Sequence, residues 1–451
     1  MPKVHKDLFP YQRQGVAFLY KNPKAILADS MGIGKSAQSI GACDALDLRN
    51  ILVICPGIAR WNWANELNTW SVYKRQIQVV ESSKDHIYAD VVITSYSLIS
   101  SIPVLSKLLQ RQWDVIIADE CVAVKSAGDT RRSRAMYGQN FDGKTGLVSK
   151  SKRVWLLSGT IMPNHPGELW THCNALFPGV SNGMGLSRWE EEYCVKASGT
   201  ERVVGAKNQA QLAGLLKPHV LRRVAEDVLP QLPPLRFSHV PVSPASLPPM
   251  SSDLKETAAV VQAAIKTLEA GNSDQGRRML ADIEKGQMAS LRKWTGLAKA
   301  PAVVEYIKAD FDAGMDRIVV FAWHRDVMTY LGEHLPNSAI INGSVSPKNK
   351  EAILQEFKKS DTIRSLILQM TVASTAINLV NACNAAVAEP PWVPSDLSQA
   401  LARLHRQGQI RPVTAKLFSL QGSFDETVVN VLARKLRITG KFHTDISTKP
   451  A

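Results

Sequence analysis

Three short stretches carry the residue types that chemistry on a phosphate requires. The first is Asp29–Ser36, DSMGIGKS, which follows the apolar run KAILA and precedes a helical pattern. Holding an anion there needs backbone N–H groups at a helix N-terminus, and Gly32 and Gly34 let the backbone come close. Lys35 would neutralise β- and γ-phosphate charge, and the Ser36 hydroxyl would face Mg2+. The general phosphate-loop pattern has Gly five positions before Gly34, where this chain has Asp29. A glycine-containing helix start with a surface lysine is the ordinary alternative.

The second stretch, WDVIIADEC, ends an apolar run on Asp119 and Glu120. Adjacent carboxylates at the C-terminal edge of a parallel sheet lie where such folds bind ligands. Asp119 would hold Mg2+ through water, and Glu120 would polarise the water that attacks a γ-phosphate. The third, QALARLHRQGQ, reads as a helix and places Arg403 and Arg406 three residues apart, on one helical face. Arginine suits the charge of a transferring phosphoryl group, being planar and always ionised. Taken singly, an acidic pair is often a loop start and two arginines an ordinary basic surface. Their occurrence with Lys35 is what carries the reading.

Other fragments are set aside. DGKTG (Asp142–Gly146) resembles part of a phosphate loop, but no apolar strand precedes it, so it reads as a surface loop. His324 and His405 have no neighbours at metal-ligand spacing and read as structural. The six cysteines show no CxxC pair or Cys/His spacing, which argues against a zinc site or a disulfide framework.

These residues need a scaffold, and the chain has the means to build one. Its 451 residues exceed one ordinary core and point to two or three units. Apolar and charged shares of 45% and 21% are those of a globular protein, and no run of about 18 apolar residues occurs. With no signal-peptide pattern at the N-terminus, an intracellular, soluble protein is expected. Lys plus Arg exceed Asp plus Glu by 54 to 40, a net charge of +14 that suits a polyanionic partner, nucleic acid first.

Between residues 24 and 160, KAILA, NILVICP, DVVITS, WDVIIADE and RVWLLSG read as strands separated by helices. A second series, RIVVFA, SAIING, IRSLILQ, NAAVAE and VTAKLFSL, begins near residue 301, with helices predicted over 346–358 and 395–406. Runs that are apolar throughout belong to parallel sheets covered on both faces. The Pro-rich QLPPLRFSHVPVSPASLPP reads as a linker, and 251–297 as helices. The expected organisation is a first α/β lobe over 1–230, a linker and helical brace over 231–300, a second α/β lobe over 301–440 and a tail over 441–451.

In order, FPYQRQGV, DSMGIGKS, ILVICPGIARWNWANE, VVITSY, DEC with Lys125, LLSGTIMPN, LRR, RIVVFAWH, INGS, INL and QALARLHRQGQ resemble the successive motifs of Swi/Snf-type ATPases of helicase superfamily two. The resemblance covers roughly residues 8 to 435. HVLRRVAEDVLPQLPP, VVEYI and EPPWVPSDLSQA are most similar to the annealing-helicase, fork-remodelling group. It implies two RecA-like lobes with a helical insertion, ATP and Mg2+ as cofactors, and ATP hydrolysis coupled to translocation on double-stranded or forked DNA by a monomeric protein, with no membrane role. Gln12 matches the adenine-reading glutamine, Gly32, Gly34, Lys35 and Ser36 the phosphate and magnesium positions, Asp119 and Glu120 the magnesium-site and catalytic acids, and Arg403 and Arg406 the arginine fingers. Pro56–Gly57, Thr94–Tyr96, Ser158–Thr160, Asn342–Gly343 and Thr371 match segments that touch the DNA backbone or couple it to the nucleotide site. Contacts of that kind suit a motor that must step across any sequence.

The chain departs from the family where Ser30 replaces a usual Glu, Val122 a usual His and Ala376 a usual Gly. Two alternatives stay open at this level: a strand-separating or strand-annealing helicase built on the same core, and a nucleotide-gated DNA-binding protein that hydrolyses poorly.

Overall fold

The computed structural model describes residues 3–125, 131–162, 165–196, 203–244, 246–269, 279, 285–373, 377–391, 394–429 and 432. The chain divides into two compact units, Met1–Pro230 and Gln231–Arg437, described here separately.

In the first unit, the apolar runs form β1 (Lys24–Leu27), β2 (Ile51–Cys55), β4 (Val91–Ser95), β5 (Val115–Asp119) and β6 (Val154–Leu157). The short β3 (Ile77–Val79) and β9 (Val220–Leu221) complete a seven-stranded sheet in the order β3-β4-β2-β5-β6-β1-β9. Every pairing in it is parallel. Successive residues of one strand enter cores on opposite faces: Leu52 and Ile54 on one side, Ile51 and Val53 on the other. That alternation, apolar on both faces, explains why these runs show no polar positions. Cys194–Lys196 (β7) and Val203–Ala206 (β8) form a separate antiparallel hairpin.

The second unit repeats the design with β11 (Ile318–Ala322), β12 (Ser338–Ile341), β13 (Ser365–Gln369), β14 (Asn384–Val387) and β15 (Val413–Leu420). One element corrects the sequence reading. Leu235–Val242, inside the Pro-rich stretch taken as a linker, is strand β10 and pairs in parallel with β15 along its whole length. It is the edge of the sheet order β10-β15-β14-β11-β13-β12, and an edge position tolerates Pro241, which has no N–H to give a ladder.

Helices Ser252–Glu269 and Lys285–Asp312 follow, the latter running through residue 301, where composition marks the start of the second lobe. Both pack within this unit: Val261 and Leu291 join Phe424 and Val428 in a small core, while Val303, Val304 and Ile307 lie on the sheet with Val320 and Phe418. Among the described residues, no helix is long and apolar enough to cross a membrane.

Lys299, in the long helix, is buried, and its ammonium donates to Asp425 Oδ2 and, at 3.2 Å, to the Phe418 carbonyl. Removing one partner of such a pair strands the other charge in the core. Lys299→Ala is therefore expected to lower the unfolding free energy by about 3–5 kcal/mol, read from the denaturant midpoint of the full chain. A midpoint equal to wild type refutes the assignment of this pair as a structural tie.

Candidate functional site

Strand β1 runs out into the glycine loop, and helix Lys35–Ala45 starts from it with Gly34 as N-cap. Gly32 and Gly34 both have φ of +82°, a region where side chains are strained. A Cβ on Gly34 would stand 2.3 Å from Gln12 Nε2, so any other residue here would also push the Gln12 amide off the loop. Gln12 is buried in the first turn of helix Pro10–Lys21, where its Oε1 accepts the Phe9 N–H at 3.0 Å. Its Nε2 donates to the Ile33 carbonyl at 3.3 Å, which sets the amide against the loop. Lys35 Nζ donates to the Asp29 and Ser30 carbonyls at 2.8 and 3.3 Å. Burial pushes the Lys35 pKa below the ordinary lysine value, against the opposing pull of the Glu120, Asp29 and Asp119 carboxylates.

Asp29, which breaks the general loop pattern, is fully buried and anchors the loop from below. Arg223 grips it twice, through Nε to Oδ1 at 3.1 Å and Nη2 to Oδ2 at 2.5 Å, and the Arg223 backbone N–H adds a bond to Oδ1 at 3.0 Å. Gln38 ties in on both sides: its Nε2 donates to Asp29 Oδ2 at 3.1 Å, and its Oε1 accepts from Arg223 Nη2 at 2.7 Å. Arg223 also donates to the Tyr11 carbonyl, beside Gln12. Its neighbour Arg222 donates to the Ala28 and Gly159 carbonyls at 2.6 and 3.1 Å, and burial pushes its pKa down to about 10.

Strands β5 and β6 bring the remaining groups to the same sheet edge as β1. Asp119 ends β5, and Glu120 follows in the left-handed region at φ of +51°. Asp119 Oδ2 accepts the Trp63 indole N–H at 2.8 Å, Oδ1 accepts the Glu120 N–H at 3.1 Å, and its carbonyl accepts the Tyr96 hydroxyl at 2.8 Å. Glu120 Oε2 lies 3.1 Å from Ser158 Oγ, which also accepts the Thr160 N–H at 3.2 Å. Gln12, the glycines, Lys35, Ser36, Asp119 and Glu120 thus belong to one unit. Half-buried cation, paired carboxylates and N–H groups at a helix start form a donor set that fits a nucleotide triphosphate with Mg2+: Lys35 and the loop for phosphate, Ser36 and Asp119 for the ion.

Of the first-unit segments matched to DNA contact, Gly57 is exposed and Pro56 and Thr160 are half-buried. Thr94, Tyr96 and Ser158 are buried, so their side chains lie beneath the surface rather than on it. Trp63, Asp29, Gln38 and Arg223 were not singled out from the sequence as site residues. Arg223 had a signal in the LRR of the motif series, and Trp63 in WNWANE.

In the second unit, Asn342–Gly343 follows β12 and Thr371 follows β13, at one sheet edge. Gln369 stitches the strand ends, accepting the Gly343 N–H at 3.0 Å and donating to the Trp323 carbonyl at 3.3 Å. Gly343 and Thr371 are exposed. The arginine segment corrects the sequence reading: the helix covers Pro394–Leu401 and ends before Arg403 and Arg406, which lie in the turns that follow. Three interactions pull the chain out of the helix. Leu404 is buried, His405 Nε2 bonds the Pro233 carbonyl at 2.7 Å, and Gln409 Nε2 donates to the Ala382 carbonyl at 2.8 Å, just after Gly408 at φ of +96°. Both arginines remain half-buried, and the charge of Arg403 helps burial to depress the Lys350 pKa. His324 is structural, Nδ1 lying 2.6 Å from Glu389 Oε1. DGKTG is a surface loop in which Asp142 Oδ1 accepts the Lys144 N–H at 3.0 Å. Ala376 falls outside the described residues.

A glycine loop, lysine and acid pair on one edge of a parallel sheet define a nucleotide-hydrolysing lobe, here followed by a second α/β unit. Comparison with known families narrows that class. The SNF2-related domain model matches residues 11–248 and the helicase conserved C-terminal domain model residues 298–408. The chain belongs to the SNF2-related family of helicase-type ATPases and carries a parallel α/β sheet in each of its two units.

Among curated relatives, the SWI/SNF-related matrix-associated actin-dependent regulator of chromatin subfamily A-like protein 1 of Xenopus tropicalis is 28% identical over 457 residues, 97% of this chain and 45% of that protein. The human DNA annealing helicase and endonuclease ZRANB3 is 28% identical over 460 residues, 97% of this chain and 40% of that protein. The chain spans less than half the length of these two relatives. A solved SWI2/SNF2 ATPase core from Sulfolobus solfataricus in complex with dsDNA aligns over 99% of this chain and 95% of that one, at 21% identity and a TM-score of 0.46.

The clearance at Gly34 makes a direct test. Gly34→Ala is expected to abolish binding of a fluorescent ATP analogue while the circular dichroism spectrum and a cooperative thermal transition are kept, the melting temperature falling with the strain at this φ. Retained binding refutes the phosphate-loop assignment.

Proposed function

We propose that the chain is a DNA-dependent ATPase that uses ATP·Mg2+ hydrolysis to move along double-stranded or forked DNA. The observation that carries this reading is the convergence on Lys35, half-buried at the helix start with its Nζ on the Asp29 and Ser30 carbonyls and within the field of Glu120, Asp29 and Asp119. A lysine held among three carboxylates suits a site that takes up phosphate charge with its own counter-ion. Mg2+, when bound, would supply positive charge against the charge of the transferring phosphoryl group. Ser36 and Asp119 would hold the ion, the N–H groups of the loop and Lys35 would hold phosphate, and Gln12 would read the base.

Glu120 is the general base. Its left-handed backbone sets it off from Asp119, and the Ser158 hydroxyl donates to its Oε2 at 3.1 Å, which orients the carboxylate. Arg403 and Arg406 supply guanidinium charge for the transferring phosphoryl group; being in a turn, they are placed by Leu404, His405 and Gln409 instead of by a helix. Pro56–Gly57, Thr160, Asn342–Gly343 and Thr371 offer backbone and hydroxyl groups to DNA phosphates, while Thr94, Tyr96 and Ser158 act from beneath. The net charge of +14 supports the same partner and a DNA-associated location.

A second reading, strand annealing or separation on the same core, is favoured by the similarity to the human DNA annealing helicase and endonuclease ZRANB3 over 97% of this chain. Strand-displacement and annealing assays separate it from translocation alone.

Steady-state turnover without nucleic acid, then with single-stranded, double-stranded and forked DNA, tests the main reading beside Glu120→Gln. Strong stimulation by duplex or forked DNA, lost in the variant, is expected. Absence of stimulation by any DNA, alongside tight ATP and DNA binding, instead identifies a nucleotide-gated binder. In the same assay Arg406→Ala should lower turnover by about 10³–10⁵-fold while sparing nucleotide binding. A loss of only a few-fold removes Arg406 from the transition state.

A further inference from the structure

Trp63 joins the Pro56–Gly57 segment to the metal-binding acid by one short path. Gly57–Ala59 forms a 3-10 turn that runs straight into helix Arg60–Trp70. Arg60 clamps this start, its Nε donating to the Gly57 carbonyl at 2.8 Å and its Nη1 to the Val80 carbonyl. One turn later Trp63, 1% exposed, packs in the core among Ile51, Val53 and Ile117. Its indole N–H meets Asp119 Oδ2 at 2.8 Å.

We propose that Trp63 is a positioning residue that relays DNA engagement at Pro56–Gly57 to the Asp119 carboxylate, so that DNA binding raises ATP turnover. The inference rests on the DNA-dependent ATPase reading and adds its route of coupling.

The chemistry favours tryptophan for this task. Indole offers a single donor and no acceptor, so it bonds a carboxylate in one sense only. With Oδ2 held by Trp63 and Oδ1 by the Glu120 N–H, the plane of the Asp119 carboxylate is defined at both oxygens. Donors behind a metal ligand orient it and are worth as much as some ligands. The rigid double ring is enclosed in a close-packed interior, which passes on a shift of the helix start instead of absorbing it. The Tyr96 hydroxyl meanwhile holds the Asp119 carbonyl at 2.8 Å, so a moving indole turns the side chain against a fixed backbone.

Two variants of the full chain test the relay. Trp63→Phe keeps an aromatic ring and removes the N–H; Arg60→Met loosens the half-buried clamp without touching the core. Turnover is measured with and without saturating duplex DNA, beside DNA affinity by fluorescence anisotropy and melting temperature. Affinity for a fluorescent ATP analogue with Mg2+ is measured with and without DNA, a binding readout independent of turnover.

The ratio of DNA-stimulated to DNA-free turnover is expected to fall about 10–100-fold in Trp63→Phe and in the same direction in Arg60→Met, with DNA affinity kept. By linkage, the gain in nucleotide affinity that DNA confers should shrink in both. Equal proportional losses with and without DNA overturn the relay and leave Trp63 as a support of the fold. Wild-type stimulation in both variants overturns it too. If Trp63→Phe melts early, Arg60→Met decides alone. A wild-type chain that hydrolyses ATP with no stimulation by DNA refutes the underlying reading, which the unmutated protein reveals first.

Discussion

The bond between Asp29 and Arg223 sets the conditions for everything built around the glycine loop. Burying two charges costs several kcal/mol per ion unless the geometry is bidentate and the remaining donors are satisfied. Here Arg223 also reaches Gln38 and the Tyr11 carbonyl, and Asp29 also takes the Gln38 amide and the Arg223 N–H. One ion pair therefore gathers four pieces of chain: the helix that carries Gln12, the start of the loop, the helix after it, and the segment that leads out toward residue 231. Gly15 belongs to the same constraint, since a Cβ there would stand 1.8 Å from Gln38 Oε1. The loop is thus bonded along its underside, through Asp29 and the Ser30 backbone.

A second consequence of the sheet is that β5, β6 and β1 lie side by side. Adjacent strands deliver the acid pair, the Ser158–Thr160 turn and the glycine loop to one edge, and Arg222 ties the last two through the Ala28 and Gly159 carbonyls. Glu120 in the left-handed region departs from strand geometry at the point where two neighbouring carboxylates must point apart. Such conformations persist where surrounding bonds over-determine them, and they cluster at functional sites. Trp63, Tyr96 and Ser158 are the bonds that do so here.

Much of this was legible from residue order, for an identifiable reason. Strands such as ILVIC and IVVFA are apolar at every position because both faces are covered, and that pattern survives without knowledge of neighbours. Where a residue's role depends on a distant partner, the sequence was silent or misleading. Asp29 read as a defect in a loop pattern because Arg223 lies 194 positions away. Trp63 was not singled out within WNWANE because its acceptor is 56 positions away. Leu235–Val242 read as linker because its prolines outweighed its alternation, and only its edge position makes them harmless. The arginine segment read as helix because propensity extends through Arg406, whereas Leu404, His405 and Gln409 each gain a tertiary partner by leaving it.

The departures at Ser30 and Val122 bear on coupling, and the structure suggests how the chain works with them. Ser30 contributes through its backbone: its N–H donates to the Arg223 carbonyl at 2.9 Å and its carbonyl accepts from Lys35 at 3.3 Å. A change of side chain at this position leaves both bonds in place. Val122 sits half-buried in the 3-10 turn Cys121–Val124, where an apolar side chain suits the packing and an imidazole would need a partner. The acid pair is instead reached through groups outside those two positions, the Trp63 indole on Asp119 and the Ser158 hydroxyl on Glu120. The Thr94 hydroxyl, on the strand end beside them, is fully buried with no hydrogen-bond partner among the described residues, a cost of about 1–3 kcal/mol that the surrounding packing offsets.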